Sequence, residues 1–256
     1  MAVIGIMDSG CGGLSVFREI RKSLPDERFI YYADNAFCPY GEKEPEFIID
    51  RCRAITDFFI GKGAEIMVIA CNTATAAAIA TLRAEYSIPF IGMEPAVKPA
   101  ALGTKTGVIG VLATAGTLKA SKYLNTRGRF EDNVRIEERV GKGFVELVES
   151  GELDGPRAEQ TVRTSLQPLL DSGADTIVLG CTHYPFLMPV MEKVARELQP
   201  DRTVRFIDPA PAVTRQLVNV LSSRGIPMAD PEPGVELMSS GPSATLERLF
   251  NEFCNI

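Results

Sequence analysis

The sequence predicts an α/β protein made of two related lobes with mainly parallel sheets. Three observations predict this class. Short apolar runs alternate with longer segments of helical pattern along the 256 residues, as they do in α/β folds. Most of the runs are continuously apolar, which is typical of parallel strands covered on both faces. Two pairs of segments also repeat in the same order at nearly the same spacing.

Eight runs are predicted as strands. In chain order they are "AVIGIM", "RFIYYAD", "EIMVIAC", "PFIGM", "TGVIGVL", "VRIEERV", "TIVLGC" and "TVRFID". The helical segments between them include Leu14 to Ser23, Glu46 to Lys62 and Gln160 to Asp171. Because parallel neighbours need a long crossover connection, this alternation favours parallel sheets.

The repeat predicts how the chain is organised. "VIGIMDSG" begins at Val3 and resembles "VIGVLATAG" at Val108, whereas "GAEIMVIACNT" begins at Gly63 and matches "GADTIVLGCTH" at Gly173. The offsets are 108 − 3 = 105 and 173 − 63 = 110. We therefore expect a duplicated α/β unit with pseudo-twofold symmetry and an active site in the cleft between the lobes. The expected first lobe is 1–96 with 208–256, and the second is 97–207.

Composition excludes several classes of function. The net charge of −6 argues against a nucleic-acid or anionic-membrane surface, and no apolar run approaches the ~18 residues of a membrane span. The start of the chain lacks the features of a signal peptide. The six cysteines form no CxxC pair and no metal-ligand spacing, which favours free thiols. We expect a soluble, cytoplasmic, reduced protein that binds no metal.

The first motif, "MDSGCGGLSV", places Asp8 and Ser9 at the end of a strand, before a glycine-rich turn. A dinucleotide fingerprint would need glycine where Ser15 stands, although Asp34 follows at a suitable distance. We favour a turn that offers its amides and the Ser9 hydroxyl to a small carboxylate, with Asp8 as a proton relay. A plain tight turn is the alternative.

The repeated cysteines form the second and third motifs. Cys71 precedes Asn72 and Thr73, which could simply cap a helix, and a buried cysteine is often only a small apolar residue. Cys181 is followed by Thr182 and His183, the only histidine. A lone histidine is often structural, and zinc would need further ligands that are not evident nearby. The alignment of Cys71 with Cys181 instead favours one thiol on each side of a ligand at the carboxyl ends of the strands.

Two further segments contain candidate residues. "ADNAFCPYG" is predicted to be a rigid loop that offers backbone amides at Tyr40 and Gly41, with Cys38 as a bystander. In "GKGFVELVESG" the apolar residues follow helical spacing. Glu149 flanks that apolar face, whereas Glu146 points nearly opposite. Most glutamates in such places are only solvated.

Taken together, these motifs resemble the glutamate racemases of the cofactor-independent aspartate/glutamate racemase family. The similarity runs almost from end to end. The matching segments are "DSGCGGLSV", "YADNAFCPYG", "ACNTA", "IGMEPAVKPA", "VIGVLATAGTLKA" and "GCTHYPFL". The segment around Glu149 departs from the pattern, because it lacks the proline-rich entry usual before the family's glutamate.

The resemblance implies an isomerase that interconverts L- and D-glutamate without a cofactor and supplies D-glutamate for cell-wall peptidoglycan. It implies that Cys71 deprotonates D-glutamate with help from Asp8, and that Cys181 deprotonates L-glutamate with help from His183 and Glu149. It further implies a set of substrate-binding residues. These are Asp8, Ser9, Tyr40, Gly41, Asn72, Thr73, Thr182 and His183. The small-molecule substrate is the main partner implied, and self-association as a homodimer is also compatible with the family.

Three alternatives stay open at this point. An aspartate racemase would share the thiol pair, and only the dimensions of its binding site would differ. A non-catalytic module that binds amino acids would retain the pocket without the chemistry. A redox thiol enzyme is disfavoured, because no resolving cysteine lies near either motif.

Overall fold

The computed structural model describes residues 3–226 and 232–254. These residues form two units: one comprises the described residues up to Met93 and from Ala210 onward, and the other is Glu94–Pro209. Each unit contains one sheet, and every strand pair in the described part of the chain is parallel. The predicted α/β class with mainly parallel sheets is therefore confirmed. Within the same residues, no helix combines the length and apolarity needed to cross a membrane.

The first unit contains a five-stranded sheet. Its strands are β1 (Val3–Asp8), β2 (Arg28–Ala33), β3 (Ala64–Ile69), β4 (Phe90–Gly92) and β9 (Gly234–Ser239), in the order β4-β3-β1-β2-β9. Its helices are α1 (Leu14–Ser23), α2 (Pro45–Gly61), α3 (Asn72–Glu85), α10 (Ala210–Arg224) and α11 (Ala244–Phe253). The central strand β1 is buried along its whole length, as its continuous apolar run predicts.

The second unit contains a four-stranded sheet. Its strands are β5 (Val108–Ala113), β6 (Arg135–Val140), β7 (Thr176–Gly180) and β8 (Arg205–Ile207), in the order β6-β5-β7-β8. Its helices are α4 (Val97–Gly103), α5 (Ala115–Lys119), α6 (Ser121–Gly128), α7 (Phe144–Ser150), α8 (Gly155–Asp171) and α9 (Met188–Leu198).

The two sheets repeat the same topology. If β1 to β4 are matched in order with β5 to β8, the strand neighbours are identical, and β9 is an additional edge strand. The register is repeated as well: Met7 pairs with Ile69, and Leu112 pairs with Leu179. The helices α2 and α8, each of 17 residues, are 110 positions apart. The repeat read from the sequence therefore extends to strand order, register and connecting helix.

Close packing of helix on sheet is also repeated. A Cβ atom added to Gly5 in β1 would lie 2.8 Å from the ring of Phe59 in α2. One added to Gly110 in β5 would lie 3.1 Å from Leu169, the equivalent residue of α8. Glycine at these two places lets the helix lie close to its strand, because any larger residue would displace it.

Strand positions agree closely with the sequence predictions, with one omission. The eight predicted strands correspond to β1 to β8, and Leu14–Ser23 is helical as expected. Ala2 of the predicted first strand lies outside the described residues. The missed strand, β9, is half-exposed along most of its length. It lies at the edge of the sheet, where one neighbour is absent, so it carries no continuous apolar run.

Candidate functional site

In the first unit, Asp8 ends β1 and is completely buried. Its Oδ2 accepts the N–H of Gly10 at 3.0 Å, and the hydroxyl of Tyr31 donates to the Gly10 carbonyl at 3.0 Å. Gly13 lies against both side chains, since a Cβ there would be 2.6 Å from Asp8 Cβ and 2.7 Å from the Tyr31 oxygen. The glycine-rich turn is thus fixed by Asp8 and Tyr31.

Cys71 lies beside this turn and begins a helix. It is the N-cap residue of α3, and its Sγ accepts the N–H of Ala74 at 3.4 Å. The same sulphur lies 3.6 Å from the hydroxyl oxygen of Ser9. A helix N-terminus stabilises negative charge, so this environment suits a sulphur that gives up and regains a proton. Ser9 and Cys71 are both about 5% exposed.

Asn72 and Thr73 form the first turn of α3, and Thr73 is buried. The side-chain nitrogen Nδ2 of Asn72 is also buried, and it has no hydrogen-bond partner among the residues that the structure describes. A buried donor without a partner costs about 1–3 kcal/mol. Asn72 directly follows Cys71 in the chain, and its amide is therefore a candidate donor to a ligand oxygen.

Tyr40 and Gly41 belong to a loop that follows β2. The loop contains two short 3₁₀ turns, Asn35–Phe37 and Tyr40–Glu42. Tyr40 is buried and its hydroxyl donates to Oδ2 of Asp34. Burial first, and then the hydrogen bond and negative charge of Asp34, hold the pKa of Tyr40 far above its usual range. The phenol therefore serves as a donor to Asp34, and the groups that Tyr40 and Gly41 can offer a ligand are those of the main chain.

In the second unit, Cys181, Thr182 and His183 follow β7 directly, and all three are buried. Sγ of Cys181 lies 3.7 Å from Nδ1 of His183, and Nε2 of His183 lies 2.6 Å from Oε1 of Glu149. An ionised carboxylate only accepts hydrogen bonds. In the neutral imidazole the proton is therefore on Nε2, and Nδ1 is a base directed toward the thiol. Thr182 Oγ1 lies 3.5 Å from Nδ1 as well.

The short helix α7 brings Glu149 to the histidine. Glycines with positive φ, Gly143 at 82° and Gly151 at 75°, stand at its two ends, a conformation that glycine adopts at little cost. The ring of Phe144 packs against that of Tyr184 with centroids 4.9 Å apart. Glu149 is half-buried and Glu146 is exposed, as the helical pattern predicts. The structure therefore joins Cys181, His183 and Glu149 in one line of contacts.

Two side chains that hold these residues belong to none of the sequence motifs. Tyr31 fixes the glycine-rich turn, and Arg51 of α2 binds Asp34 with two hydrogen bonds of 2.7 and 2.9 Å. Arg51 lies 17 positions from Asp34, and no motif connects them in the sequence. The sequence offers one sign that this pair matters: Asp34 directly follows a strand, much as Asp8 ends one.

Each unit thus contains one buried thiol at a matching strand end, with partners that can exchange a proton with it.

Comparison with known proteins relates the chain to a family. The family model described as Asp/Glu/Hydantoin racemase matches residues 4–217. A glutamate racemase from Pseudomonas syringae is 50% identical over 231 residues, 90% of this chain and 82% of that protein. One from Pseudomonas aeruginosa is 47% identical over 245 residues, 95% of this chain and 86% of that protein.

Two solved structures that are similar to this chain are also those of glutamate racemases. The crystal structure of a glutamate racemase isoform from Bacillus anthracis has a TM-score of 0.86 and 32% identity, covering 100% of this chain and 94% of its own. That of the Escherichia coli glutamate racemase, in complex with L-glutamate and the activator UDP-MurNAc-Ala, also has a TM-score of 0.86 and 32% identity, with 99% and 95% covered. The resemblance inferred from the sequence motifs is confirmed: the chain belongs to the Asp/Glu/hydantoin racemase family and is an isomerase.

Proposed function

We propose that the protein is a glutamate racemase that uses Cys71 and Cys181 as its two acid–base groups. The observation that carries the proposal is the equivalence of the two thiols. Each one follows the strand matched by the internal repeat, at the same offset of 110 residues. The proposed substrate is supported by relatives named glutamate racemase that share close to half of their residues with this chain.

The reaction needs unusual help from the protein. The α-hydrogen of an amino acid is a very weak acid, and two-base racemisation removes it on one face while a proton arrives on the other. The site must exclude water and direct fixed donors to the developing negative charge. Each thiol must also give and take a proton in turn, so its two protonation states have to be close in free energy.

We assign Cys71, with Asp8 and Ser9, to the proton on one face. In this proposal the Cys71 thiolate takes the α-proton of D-glutamate and becomes a thiol. Before that step the Ser9 hydroxyl, 3.6 Å from Sγ, and the Ala74 N–H at 3.4 Å stabilise the thiolate. Asp8 acts as an acid–base partner on this side. Its complete burial beside the same turn supports that role.

We assign Cys181, with His183 and Glu149, to the proton on the other face. In this proposal Cys181 deprotonates L-glutamate, and Nδ1 of His183 exchanges the proton with the thiol. Glu149 holds the ring by its 2.6 Å contact with Nε2 and stabilises the imidazolium when it forms. In other enzymes a nucleophile, a base and an orienting carboxylate are arranged in the same way. Here Cys181, His183 and Glu149 would take these three positions, and the reaction is proton transfer at carbon.

The remaining site residues would bind the substrate. Because Asn72 Nδ2 has no partner within the described residues, we assign it to a carboxylate oxygen of glutamate. Ser9, Thr73 and Thr182 contribute hydroxyl or main-chain groups, and Tyr40 and Gly41 contribute main-chain groups. The product D-glutamate would then enter peptidoglycan synthesis for the bacterial cell wall.

The test is to incubate the purified protein with L- or D-glutamate in D2O without added cofactor. We expect loss of optical rotation, with deuterium found early in the product while the remaining substrate stays largely unlabelled. Equal early labelling of both pools would indicate one shared base and refute the two-thiol mechanism. If neither exchange nor racemisation occurs, the proposed function is wrong. The same assay with aspartate separates the two candidate substrates.

A further inference from the structure

The loop from Asn35 to Glu42 is held in place by side chains that the proposed reaction does not use. Oδ1 and Oδ2 of the buried Asp34 accept hydrogen bonds from the Arg51 guanidinium at 2.7 and 2.9 Å. Oδ2 also accepts the hydroxyl proton of Tyr40. One carboxylate therefore joins the helix α2 to the part of the loop that contains Tyr40 and Gly41.

Arg51 contacts the loop a second time. Its guanidinium carbon lies 4.3 Å from the centroid of the Phe37 ring, within the range of a cation–π contact. Phe37 ends the first 3₁₀ turn of the loop, and Tyr40 begins the second. Arg51 thus fixes both turns, one through its stacked ring and the other through Asp34.

The same carboxylate is tied to the strand end that contains Asp8. The main-chain N–H of Asp34 donates to the Asp8 carbonyl at 2.9 Å, because β1 and β2 are parallel neighbours in register up to Asp8 and Ala33. A shift of Asp34 would therefore alter the spacing between Tyr40 and the Asp8 turn. Both segments belong to the first unit.

A separate set of hydrogen bonds holds the opening of the loop. Oδ1 of Asn35 accepts the Ser239 hydroxyl at 2.7 Å and the Gly241 N–H at 2.8 Å, and the N–H of Ala36 donates to the Ser240 hydroxyl at 3.1 Å. These partners are the last residue of β9 and the first residues of the segment between β9 and α11. This set does not include Tyr40 or Gly41. Tyr40 is packed in the core of the first unit, and its hydroxyl is oriented by the hydrogen bond to Asp34.

We infer that Asp34 and Arg51 are positioning residues for substrate binding, which hold Tyr40 so that the main chain of Tyr40 and Gly41 is presented to a substrate carboxylate. This inference rests on the proposed function. A buried carboxylate is tolerated only when it is paired and hydrogen-bonded, and the bidentate fork of arginine also fixes orientation. Lysine could neutralise Asp34 but would not hold it at two points.

The experiment compares variants of Arg51 with a control on the same helix. Arg53 is also in α2 and also binds a carboxylate with two bonds, to Glu85 at 2.6 and 2.8 Å. Its side-chain partners within the described residues, Glu85 and Asp50, lie outside the loop. We expect KM for glutamate to rise about ten-fold in Arg51→Ala, which loses both charged hydrogen bonds, and about three-fold in Arg51→Lys, which keeps the charge but not the two-point contact. Arg53→Ala should keep the KM of the wild type.

Tyr40→Phe gives a second measurement that does not leave a buried charge unpaired. It removes the hydroxyl and retains the ring and main chain, so we expect KM to rise about three-fold while kcat changes less than about two-fold. Circular dichroism and thermal unfolding establish that each variant is folded. If Arg51→Ala does not fold, the KM values of Arg51→Lys and Tyr40→Phe test the positioning role.

The outcomes separate this inference from the proposed function. If neither the wild type nor Arg53→Ala racemises glutamate, the proposed function itself is wrong. If those two are active and Arg51→Lys and Tyr40→Phe have the KM of the wild type, the positioning role is wrong. A fall in kcat at unchanged KM would also overturn it, because a binding loop out of place must weaken binding.

Discussion

Nε2 of His183 lies 2.6 Å from Oε1 of Glu149, although the two residues are 34 positions apart in the chain. The histidine side chain is 2% exposed and the glutamate side chain 23% exposed. This contact leaves Nδ1 of the ring directed at the sulphur of Cys181, 3.7 Å away. It links Cys181 to a histidine and a carboxylate. In the sequence repeat, the position equivalent to His183 is Thr73, so Cys71 is followed by no histidine.

We expect Glu149→Gln to lower kcat about ten-fold to hundred-fold. The amide of glutamine can donate to Nε2, which would move the imidazole proton to Nδ1 and remove the base that faces Cys181. Glu146→Gln is the matched control, because Glu146 lies on the same helix and is exposed. Steady-state rates with both enantiomers provide the measurement, and equal rates for the two variants would contradict the role of Glu149.

His183→Asn should slow the Cys181 step in particular. The two enantiomers have equal free energies, so kcat/KM must stay equal in the two directions, and the asymmetry has to be read from isotope effects. A slower Cys181 step limits the rate more strongly in both directions, but this step removes the α-deuteron only when the substrate is L-glutamate. With α-deuterated substrates we therefore expect the primary isotope effect on kcat/KM to increase for L-glutamate and to decrease for D-glutamate. The same change in both directions would reject the assignment of His183 to Cys181.

Cys71→Ala and Cys181→Ala should each reduce racemisation at least about 100-fold, since each removes one acid–base group. Each substitution removes a single sulphur atom from a buried side chain, and we expect both variants to remain folded by circular dichroism. Cys254→Ala is the control: that thiol is buried, donates to the Leu14 carbonyl at 3.7 Å and has no role in the proposed proton transfer. Wild-type turnover in either of the first two variants would end the two-thiol mechanism.

Asn72→Ala should separate binding from stability. Because Nδ2 of Asn72 is buried without a partner in the described residues, its removal loses no hydrogen bond and relieves a desolvation cost of about 1–3 kcal/mol. We therefore expect the free energy of unfolding to stay constant or rise, while KM for glutamate increases about ten-fold. Urea unfolding and steady-state kinetics measure the two quantities. A less stable protein with unchanged KM would show that the amide has a structural role only.

Alkaline pH should destabilise the fold through buried thiols. Burial raises the pKa of the Cys254 thiol from 9.0 to about 12, and burial likewise raises the pKa of Cys52 well above its ordinary value. The unfolded chain releases these protons first, so the contribution of these thiols to the free energy of unfolding is constant below about pH 9 and falls between about pH 9 and 12.

Urea unfolding at several pH values in that range measures this slope, to which one group contributes at most about 1.4 kcal/mol per pH unit. We expect Cys254→Ala to have a shallower slope than the wild type, whatever its stability at neutral pH. If the two slopes are the same, Cys254 does not contribute to the alkaline transition.

Much of the fold could be predicted from local patterns. The buried strands β1 to β8 have continuous apolar runs, and the glycine turns punctuate them, so their positions follow from short segments of sequence. The strand β9 was missed because an edge strand is covered on fewer sides and needs no such run. The pairing of Asp34 with Arg51 could not be foreseen, because it depends on how α2 packs beside the end of β2.

The sequence by itself determined the α/β class, the duplicated unit and the two cysteine motifs, because these are local or repeated patterns. Only the tertiary structure decided that Glu149 contacts His183, that Tyr40 donates to Asp34, and that Asn72 has a buried amide without a partner among the described residues. Such contacts join segments far apart in the chain, and their distances are set by strand register and helix packing. Residue type and spacing do not specify them.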